Sequence, residues 1–280
     1  MKETICFIGI GNMGSSLVDL FISKNIWQKD KIILCDCESS KLSNYKSIKE
    51  LLLFEDASEA VQHSENIIIA VKPQICFELF YKIRDRLSSN ALLISIMAGV
   101  SILTIQQLTS CAAIIRAMPN LPITLGMGLI GWACSKQVNE KKKLLFKKIC
   151  YSFGKTIYFN DESYLDIITA LSGSGPMYVA LFANSLIKAG ESLGLSSEQS
   201  KIATIQTIIG SALMLQQLHI TPEQLMQKIT SKGGTTEQAS LIFEKYDFEN
   251  IIAKAVHAAY TRAQTLCKTY QKCLKEKANK

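Results

Sequence analysis

Short apolar runs alternate with amphipathic stretches through the first half of the chain. The runs are almost continuously hydrophobic, which is typical of strands buried on both faces of a parallel sheet. Helical periodicity lies between several of them, at residues 13–23, 74–87 and 141–153. This alternation predicts an α/β fold with a mostly parallel, doubly wound sheet. The predicted strands are residues 4–8, 31–35, 51–54, 66–71, 91–96, 112–116, 128–134 and 156–159.

From about Glu162 onward, long helical patterns replace this alternation, and hardly any strand signal remains. Two helix starts carry a capping box, because Ser196 is followed three residues later by Gln199, and Thr221 by Gln224. In such a box the hydroxyl and the amide side chain each accept a backbone N–H that the first helical turn leaves open. The second half of the chain is therefore predicted to be all-helical.

We accordingly predict two domains, one at residues 1–161 that contains the sheet and one at residues 162–280 that is helical. The helix predicted at 197–218 is apolar on several sides, more than one neighbouring helix would cover. No second sheet is predicted for these apolar surfaces to pack on. We therefore expect the helical domain to complete its burial against another copy of itself, as a homodimer.

Composition and charge limit the classes of ligand and partner that we expect this protein to bind. Hydrophobic residues make up 48% of the 280, which is enough for a full core. The net charge of +7 is spread along the sequence without a basic block interleaved with aromatic residues. We therefore expect no nucleic-acid surface and favour anionic small molecules as ligands. The longest apolar run, residues 91–103, is interrupted by serines and a glycine, so we expect no membrane span.

The nine cysteines lie mostly within apolar, strand-like runs. Cys35 and Cys37 are too close together for a metal pair, and no matching set of histidines and cysteines accompanies them. We expect buried, reduced thiols, no metal and a cytoplasmic protein. We also expect no leader segment, since a glycine loop begins within the first ten residues.

That glycine loop carries the clearest chemistry in the sequence. Gly9, Gly11 and Gly14 form G-x-G-x-x-G directly after the first strand and open a predicted helix. The first glycine permits the tight turn, the second lets backbone approach a pyrophosphate, and the third allows close packing of helix and strand. The helix N-terminus offers free N–H groups to phosphates. In this strand–turn–helix context the motif predicts a dinucleotide site.

Asp36 stands at the end of the second strand, about 22 residues beyond Gly14. An acidic side chain at this point accepts hydrogen bonds from the ribose hydroxyls of adenosine and repels a 2′-phosphate, so it favours NADH. The alternative is an Asp that merely forms a turn after a strand. Lys41 lies nearby and could still serve a phosphate.

Other strand ends, and breaks in the helical pattern, contain candidate ligand-binding residues. The carboxyl ends of strands face the crevice of a doubly wound sheet. The strand-end segments are equally well interpreted as ordinary strand–loop connections, whereas residues 231–236, without context, are better interpreted as a capped helix start. Asn120, between two prolines, could direct its amide at a nicotinamide or a substrate. Residues 171–176 break a helical pattern with small residues, and residues 231–236 open a helix with glycines and hydroxyls. The strand-end candidates are Ala70, Val71, Lys72 and Pro73 after the fourth strand, and Ala98 and Gly99 after the fifth.

In order and spacing, these segments and residues 116–120 resemble those of pyrroline-5-carboxylate reductases, over about residues 3–270. Ser-x-Gly-Gly-x-Thr together with Ser-Gly-Ser-Gly-Pro makes the resemblance specific. It implies the last step of proline biosynthesis, in which NADPH or NADH reduces the ring C=N of 1-pyrroline-5-carboxylate to L-proline. It also implies an N-terminal Rossmann domain and a helical C-terminal dimerisation domain. The homodimers of this family often assemble further, into decamers of five dimers.

The resemblance assigns roles residue by residue. It implies that the glycine loop, with Asn12 and Met13, holds the pyrophosphate, and that the segments at 70–73 and 98–99 border the nicotinamide. Glu162 matches a family position at the ligand site and is a candidate catalytic residue. Thr236 matches the hydroxyl that bonds the ring nitrogen. The loop that grips the substrate carboxylate corresponds to Ser231, Gly234, Thr235 and Thr236.

Three departures from the family pattern change the expectations. Leu121 replaces a threonine near the cofactor, and Met177 replaces a small residue, so altered turnover is expected. Asp36 and Ala57 stand where members that prefer NADPH usually have a small hydroxyl residue and an asparagine, which strengthens the expectation of NADH.

Two alternatives stay open on the sequence alone. A hydroxy-acid dehydrogenase of similar plan would need a general base, usually Lys or His, facing the hydroxyl that is oxidised. Lys188 and Lys201 are ordinary helix-face lysines and give it little support. A non-catalytic nucleotide-binding paralogue would be compatible with Leu121.

Overall fold

The computed structural model describes residues 4–278, and the side chains of residues 4–273. One eight-stranded sheet has the order β3-β2-β1-β4-β5-β6-β7-β8, and all its pairings are parallel except that of β6 with β7. The predicted mostly parallel sheet is confirmed, with each predicted strand present to within a few residues at its ends. The strands are β1 (Ile5–Ile8), β2 (Ile32–Cys35), β3 (Leu52–Phe54), β4 (Asn66–Ile69), β5 (Leu92–Ser95), β6 (Ala113–Pro119), β7 (Gly128–Cys134) and β8 (Gly154–Tyr158).

Helices connect the strands and then continue alone. In the sheet region they are α1 (Asn12–Ser23), α2 (Ser39–Ser43), α3 (Ala57–Ala60), α4 (Cys76–Ile83), α5 (Ile102–Thr109) and α6 (Glu140–Tyr151). Beyond it they are α7 (Tyr164–Ile168), α8 (Gly175–Ser192), α9 (Ser197–Gln217), α10 (Pro222–Ile229), α11 (Thr235–Lys245) and α12 (Phe248–Ala278). The helix predicted at 74–87 is divided, since 3₁₀ turns at Pro73–Ile75 and Arg84–Arg86 flank α4.

The antiparallel pair of β6 and β7 follows from the length of its connection. β6 ends at Pro119 and β7 begins at Gly128, with a 3₁₀ turn at Leu121–Leu125 between them. This link is shorter than the dozen or more residues that a parallel crossover needs. Gly126 closes it with a φ of 72°, a conformation that favours glycine.

The sheet is buried on both faces, as its continuous apolar strands require. In β1 the side chains of Ile5 and Phe7 join the core on the α1 and α6 face. Those of Cys6 and Ile8 join the core on the α4 and α5 face. The period-two alternation of side chains along a strand produces these two cores.

The predicted buried thiols are mostly found. Five cysteines are buried, Cys37 is exposed, and no disulfide joins any two cysteines within residues 4–273. Burial raises the pKa of Cys35 to about 12. It raises the pKa of Cys6 and Cys111 as well. These thiols are therefore protonated, inert packing groups at neutral pH.

The chain divides into two compact units, and the first is discontinuous in sequence. It contains the residues up to Ser174 and those from Ala259 onward, whereas the second spans Gly175 to Ala258. The first unit thus contains the sheet, α7, a π-helical turn at Thr169–Gly173 and the carboxyl-terminal part of α12. The predicted boundary at 161/162 stays a prediction.

The second unit begins with two helices that pack closely. A Cβ on Gly190 of α8 would lie 2.7 Å from Ser200 Oγ of α9, so glycine permits this approach. Both predicted capping boxes are confirmed, at the starts of α9 and α10. Many large apolar side chains of the unit are exposed, among them Leu181, Ile202, Ile205, Ile209, Leu241, Ile242 and Ile251.

One helical stretch, Tyr164–Ser192, is long and apolar enough to cross a membrane by length and composition alone. The helices of non-membrane proteins pass the same test, so this is weak evidence.

Candidate active site

The glycine loop joins β1 to α1 and touches the end of β4. Gly9 has a φ of 95°, and a Cβ there would lie 2.8 Å from Val71 Cγ1 and 2.9 Å from the carbonyl carbon of Ala70. A Cβ on Gly14 would collide with the carbonyl oxygen of Gly9. Both positions therefore require glycine for steric reasons, as the motif predicts.

Gly11 differs, because a Cβ added there meets nothing within 4 Å. It is the N-cap of α1, and the first N–H to bond within that helix is that of Ser15, to Gly11 C=O at 2.8 Å. No side chain in the described part of the chain caps α1. The N–H groups of Asn12, Met13 and Gly14 are thus left without a partner inside the helix, at the positive end of its dipole, which fits a pyrophosphate.

Asp36 is bound to this loop. Its residue is only 7% exposed, and its Oδ2 accepts the N–H of Ile10 at 2.7 Å. Oδ1 accepts the N–H of Glu38 at 2.9 Å. Lys41 Nζ lies 3.4 Å from both carboxylate oxygens and 2.7 Å from Glu38 Oε1. The side chain thus adds a structural role to its predicted contact with ribose.

The strand-end segments border the same edge of the sheet. Ala70 N–H bonds to Ile8 C=O at 2.8 Å, directly beside the loop, and Lys72 is exposed. Gly99 has a φ of 75°, and a Cβ there would lie 2.8 Å from Leu266 Cβ of α12. The Ala98–Gly99 turn therefore packs against a helix that is distant in sequence.

The amide of Asn120 is engaged within the protein. Its Oδ1 accepts the N–H of Leu129 at 2.8 Å, and its Nδ2 donates to Ser172 Oγ at 3.0 Å. The side chain ties the end of β6 to the start of β7 and to the π-helical turn. Leu121, which follows it, is 57% exposed.

Glu162 belongs to a charged cluster centred on Arg116, a residue of β6 that is 3% exposed. Arg116 Nη1 donates to Glu162 Oε2 at 3.3 Å, and Nη2 donates to Asp166 Oδ1 at 3.2 Å. Glu162 Oε2 also accepts the N–H of Ile102, the first residue of α5, at 3.0 Å. The cluster therefore fixes the start of the helix that follows the Gly99 turn.

The predicted carboxylate loop lies in the second unit, at the start of α11. Gly233 has a φ of 73°, and Gly234 is the N-cap, with its N–H bonded to Ser231 C=O at 2.9 Å. Within residues 4–273, no side chain caps this helix, so the N–H groups of its first turn remain open. Thr236 is half-buried in that turn, and Glu237 Oε2 accepts the N–H of Gly233 at 2.7 Å.

Sequence reasoning missed Arg116, Asp166 and Leu266 as supporting residues. One signal was available for the first, since an arginine inside an apolar strand must find buried carboxylate partners. No local pattern indicated Leu266, because its contact with Gly99 depends on how the last helix returns to the first unit.

Comparison with known proteins agrees with this geometry. The family model for pyrroline-5-carboxylate reductase dimerisation matches residues 162–266, and that for NADP oxidoreductase, coenzyme F420-dependent, matches residues 4–99. The pyrroline-5-carboxylate reductase of Synechocystis sp. is 33% identical over 268 residues, which are 96% of this chain and 100% of that protein. The one from Pseudomonas aeruginosa is 30% identical over 263 residues, 94% of this chain and 96% of that protein.

Solved structures give the same result. The crystal structure of Plasmodium falciparum pyrroline carboxylate reductase with NADP bound has a TM-score of 0.86 and 33% identity, and covers 95% of this chain and 99% of that one. The matches and the glycine loop place the chain among NAD(P)H-dependent oxidoreductases of Rossmann fold. Within that class, it belongs to the pyrroline-5-carboxylate reductase family.

Proposed function

We propose that this chain reduces the C=N bond of 1-pyrroline-5-carboxylate with NADH or NADPH and releases L-proline, the last step of proline biosynthesis. Likeness to pyrroline-5-carboxylate reductases over nearly the whole length supports this activity. The structural feature that supports it is the glycine loop, where open space beside Gly11 lies at the uncapped start of α1. We place the reaction in the cytoplasm.

The residues at the loop fit a dinucleotide. Gly9, Gly11, Asn12, Met13 and Gly14 would hold the pyrophosphate through backbone N–H groups. Ala70, Val71, Lys72, Pro73, Ala98, Gly99 and Asn120 would border the nicotinamide. When bound, the reduced nicotinamide supplies the hydride that the ring carbon of the imine accepts.

The substrate would be held by the start of α11. Its open N–H groups and helix dipole suit a carboxylate, with Ser231, Gly234 and Thr235 forming the loop. The Thr236 hydroxyl would bond the ring nitrogen, which fixes the orientation of the C=N bond. A protonated imine already carries the proton that the product amine retains, so no strong side-chain acid is required.

Glu162 would then act as a positioning residue. Its carboxylate oxygen Oε2 accepts hydrogen bonds from Arg116 and from the N–H of Ile102, and so ties β6 to the start of α5. By fixing the start of α5, it would keep the Gly99 turn in place beside the cofactor.

To test the activity, the rate of NADH oxidation is measured with pyrroline-5-carboxylate and, separately, with keto acids. Turnover of the imine alone is expected. Binding of NADH without turnover of the imine would contradict the proposal and favour a non-catalytic nucleotide-binding protein.

The test of the substrate loop is Thr236→Ala. We expect kcat to fall about 10- to 100-fold, the value of one hydrogen bond to a charged group, with the Kd of NADH unchanged. Thr236→Ser should retain most of the activity. Thr230→Ala is the matched control, because the Thr230 hydroxyl bonds to Met226 C=O at 2.8 Å within the same segment. Equal kcat in Thr236→Ala and the wild type would remove Thr236 from the mechanism.

We propose in addition that the second unit forms a homodimer, which could assemble further into a decamer of five dimers. Many of its large apolar side chains are exposed, and extensive exposed apolar surface marks a protein–protein interface. Sedimentation equilibrium at micromolar concentration should give at least twice the chain mass. A monomer at that concentration would exclude the dimer.

A further inference from the structure

We propose that Lys41 could bind a 2′-phosphate but is kept paired with Asp36 and Glu38, and that this three-residue cluster selects NADH over NADPH. The inference rests on the nucleotide site of the proposed function. It adds two residues to the discrimination expected of Asp36 alone, and it predicts a dependence of NADPH binding on Lys41.

Asp36 cannot easily move aside for a phosphate. Its two carboxylate oxygens accept backbone N–H groups from Ile10 and Glu38, at 2.7 and 2.9 Å. The side chain is 6% exposed, so it is enclosed as well as bonded. Because Ile10 belongs to the glycine loop, the carboxylate is fixed beside the segment that would hold the pyrophosphate.

Lys41 brings a cation to the same place. Its Nζ lies 3.4 Å from both oxygens of Asp36, and its side chain is one-third exposed (33%), so a bound nucleotide could reach it. An arginine near the ribose accommodates a 2′-phosphate in this class of fold, and a lysine can bind phosphate as a point charge. The chain therefore contains a cation at the place where a 2′-phosphate would lie.

Glu38 keeps the Lys41 ammonium hydrogen-bonded within the protein. Its Oε1 lies 2.7 Å from Lys41 Nζ, the shortest of the three contacts. This hydrogen bond raises the pKa of Lys41, as expected of an ammonium shared between two acids. Two carboxylates against one ammonium leave the cluster with a net negative charge. Ribose hydroxyls can donate to such a cluster, whereas a phosphate dianion is repelled.

The experiment measures Kd for NADH and NADPH by fluorescence titration without substrate, so it does not depend on activity. The key variant is Asp36→Asn/Glu38→Gln, which keeps the shape of both side chains and leaves an oxygen to accept the Ile10 N–H. We expect it to bind NADPH about tenfold more tightly than the wild type, the value of one charge-assisted hydrogen bond. Adding Lys41→Met should abolish that gain.

Lys46→Met in the same double-variant background is the matched control, because Lys46 is an exposed lysine close in sequence. It should leave the gain intact. A gain that survives Lys41→Met would overturn the proposal and assign discrimination to the carboxylates alone. Absence of any gain in the folded double variant would also overturn it.

Lys41→Met in the wild-type background gives a second test on a partly exposed side chain. It should weaken NADPH binding about three- to tenfold through the uncompensated carboxylates, and change the Kd of NADH less than NADPH. An equal effect on both nucleotides would count against the proposal. Failure of the wild type to bind either nucleotide would instead refute the proposed function.

Discussion

Arg116 is expected to contribute more to stability than any surface charge of the chain. Replacing it with Met removes a guanidinium that is 4% exposed and leaves the carboxylates of Glu162 and Asp166 without their cation. Breaking a buried pair in this way typically costs about 3–5 kcal/mol. The Glu162 side chain is 28% exposed and can be partly rehydrated, whereas that of Asp166 is 11% exposed. We therefore expect a loss near the lower limit, about 3 kcal/mol.

The assay is unfolding in urea followed by tryptophan fluorescence at fixed protein concentration. Both tryptophans of the chain, Trp27 and Trp132, lie in the first unit, so the signal reports on that unit. A loss of about 3 kcal/mol corresponds to a fall in Tm of about 6–12 °C for a unit of this size. Arg84→Met is the matched control, because its partner Asp85 is 81% exposed, and it should cost less than about 1 kcal/mol.

The expected loss of stability arises from uncompensated carboxylate charge, which a double variant can test. Arg116→Met/Asp166→Leu removes the more buried carboxylate as well, so it should be more stable than Arg116→Met alone. If Arg116→Met costs no more than Arg84→Met, or if the double variant is less stable than the single one, the cluster is not a compensated buried ion pair.

Two further predictions concern the glycine turn and a surface carboxylate. Gly99→Ala should destabilise the first unit by about 1–3 kcal/mol and weaken NADH binding, since it combines positive φ with a clash against Leu266. Gly194 has a φ of 102° and no atom near an added Cβ, so Gly194→Ala should show only the cost of the backbone strain. Hydrogen bonds from Ser58 and Lys82 lower the pKa of Asp56 from 3.8 to about 2. Asp56→Asn should therefore cost less than about 1 kcal/mol at pH 7, and urea unfolding should show the difference shrinking as the pH falls from about 4 to 2.

Much of the fold could be predicted from the sequence because it is encoded locally. Ile5 to Ile8 are all apolar since both sheet faces are covered, and Ser196 with Gln199 specifies a helix start within four residues. The reversal of β7 was not predicted, since an apolar run has the same pattern in either direction. Only the short link after Pro119 distinguishes the two.

The need for glycine at Gly9 and Gly14 could be predicted, because backbone geometry requires that residue type there. The hydrogen-bond partners of a polar side chain could not be predicted in the same way. The amide of Asn120 bonds Leu129 and Ser172, although its position between prolines suggested a ligand. The same applies to Glu162, because the partners of a carboxylate are set by tertiary packing.

The return of α12 to the first unit makes the amino-terminal half of the chain incomplete by itself. Leu266 lies against Gly99, and Tyr270, 9% exposed, belongs to the core on the α4 and α5 face. A fragment ending at Ser174 would uncover that core and the Ala98–Gly99 turn together. We therefore expect nucleotide binding to depend on the integrity of the carboxyl-terminal segment, and proteolytic loss of the last two dozen residues to abolish it.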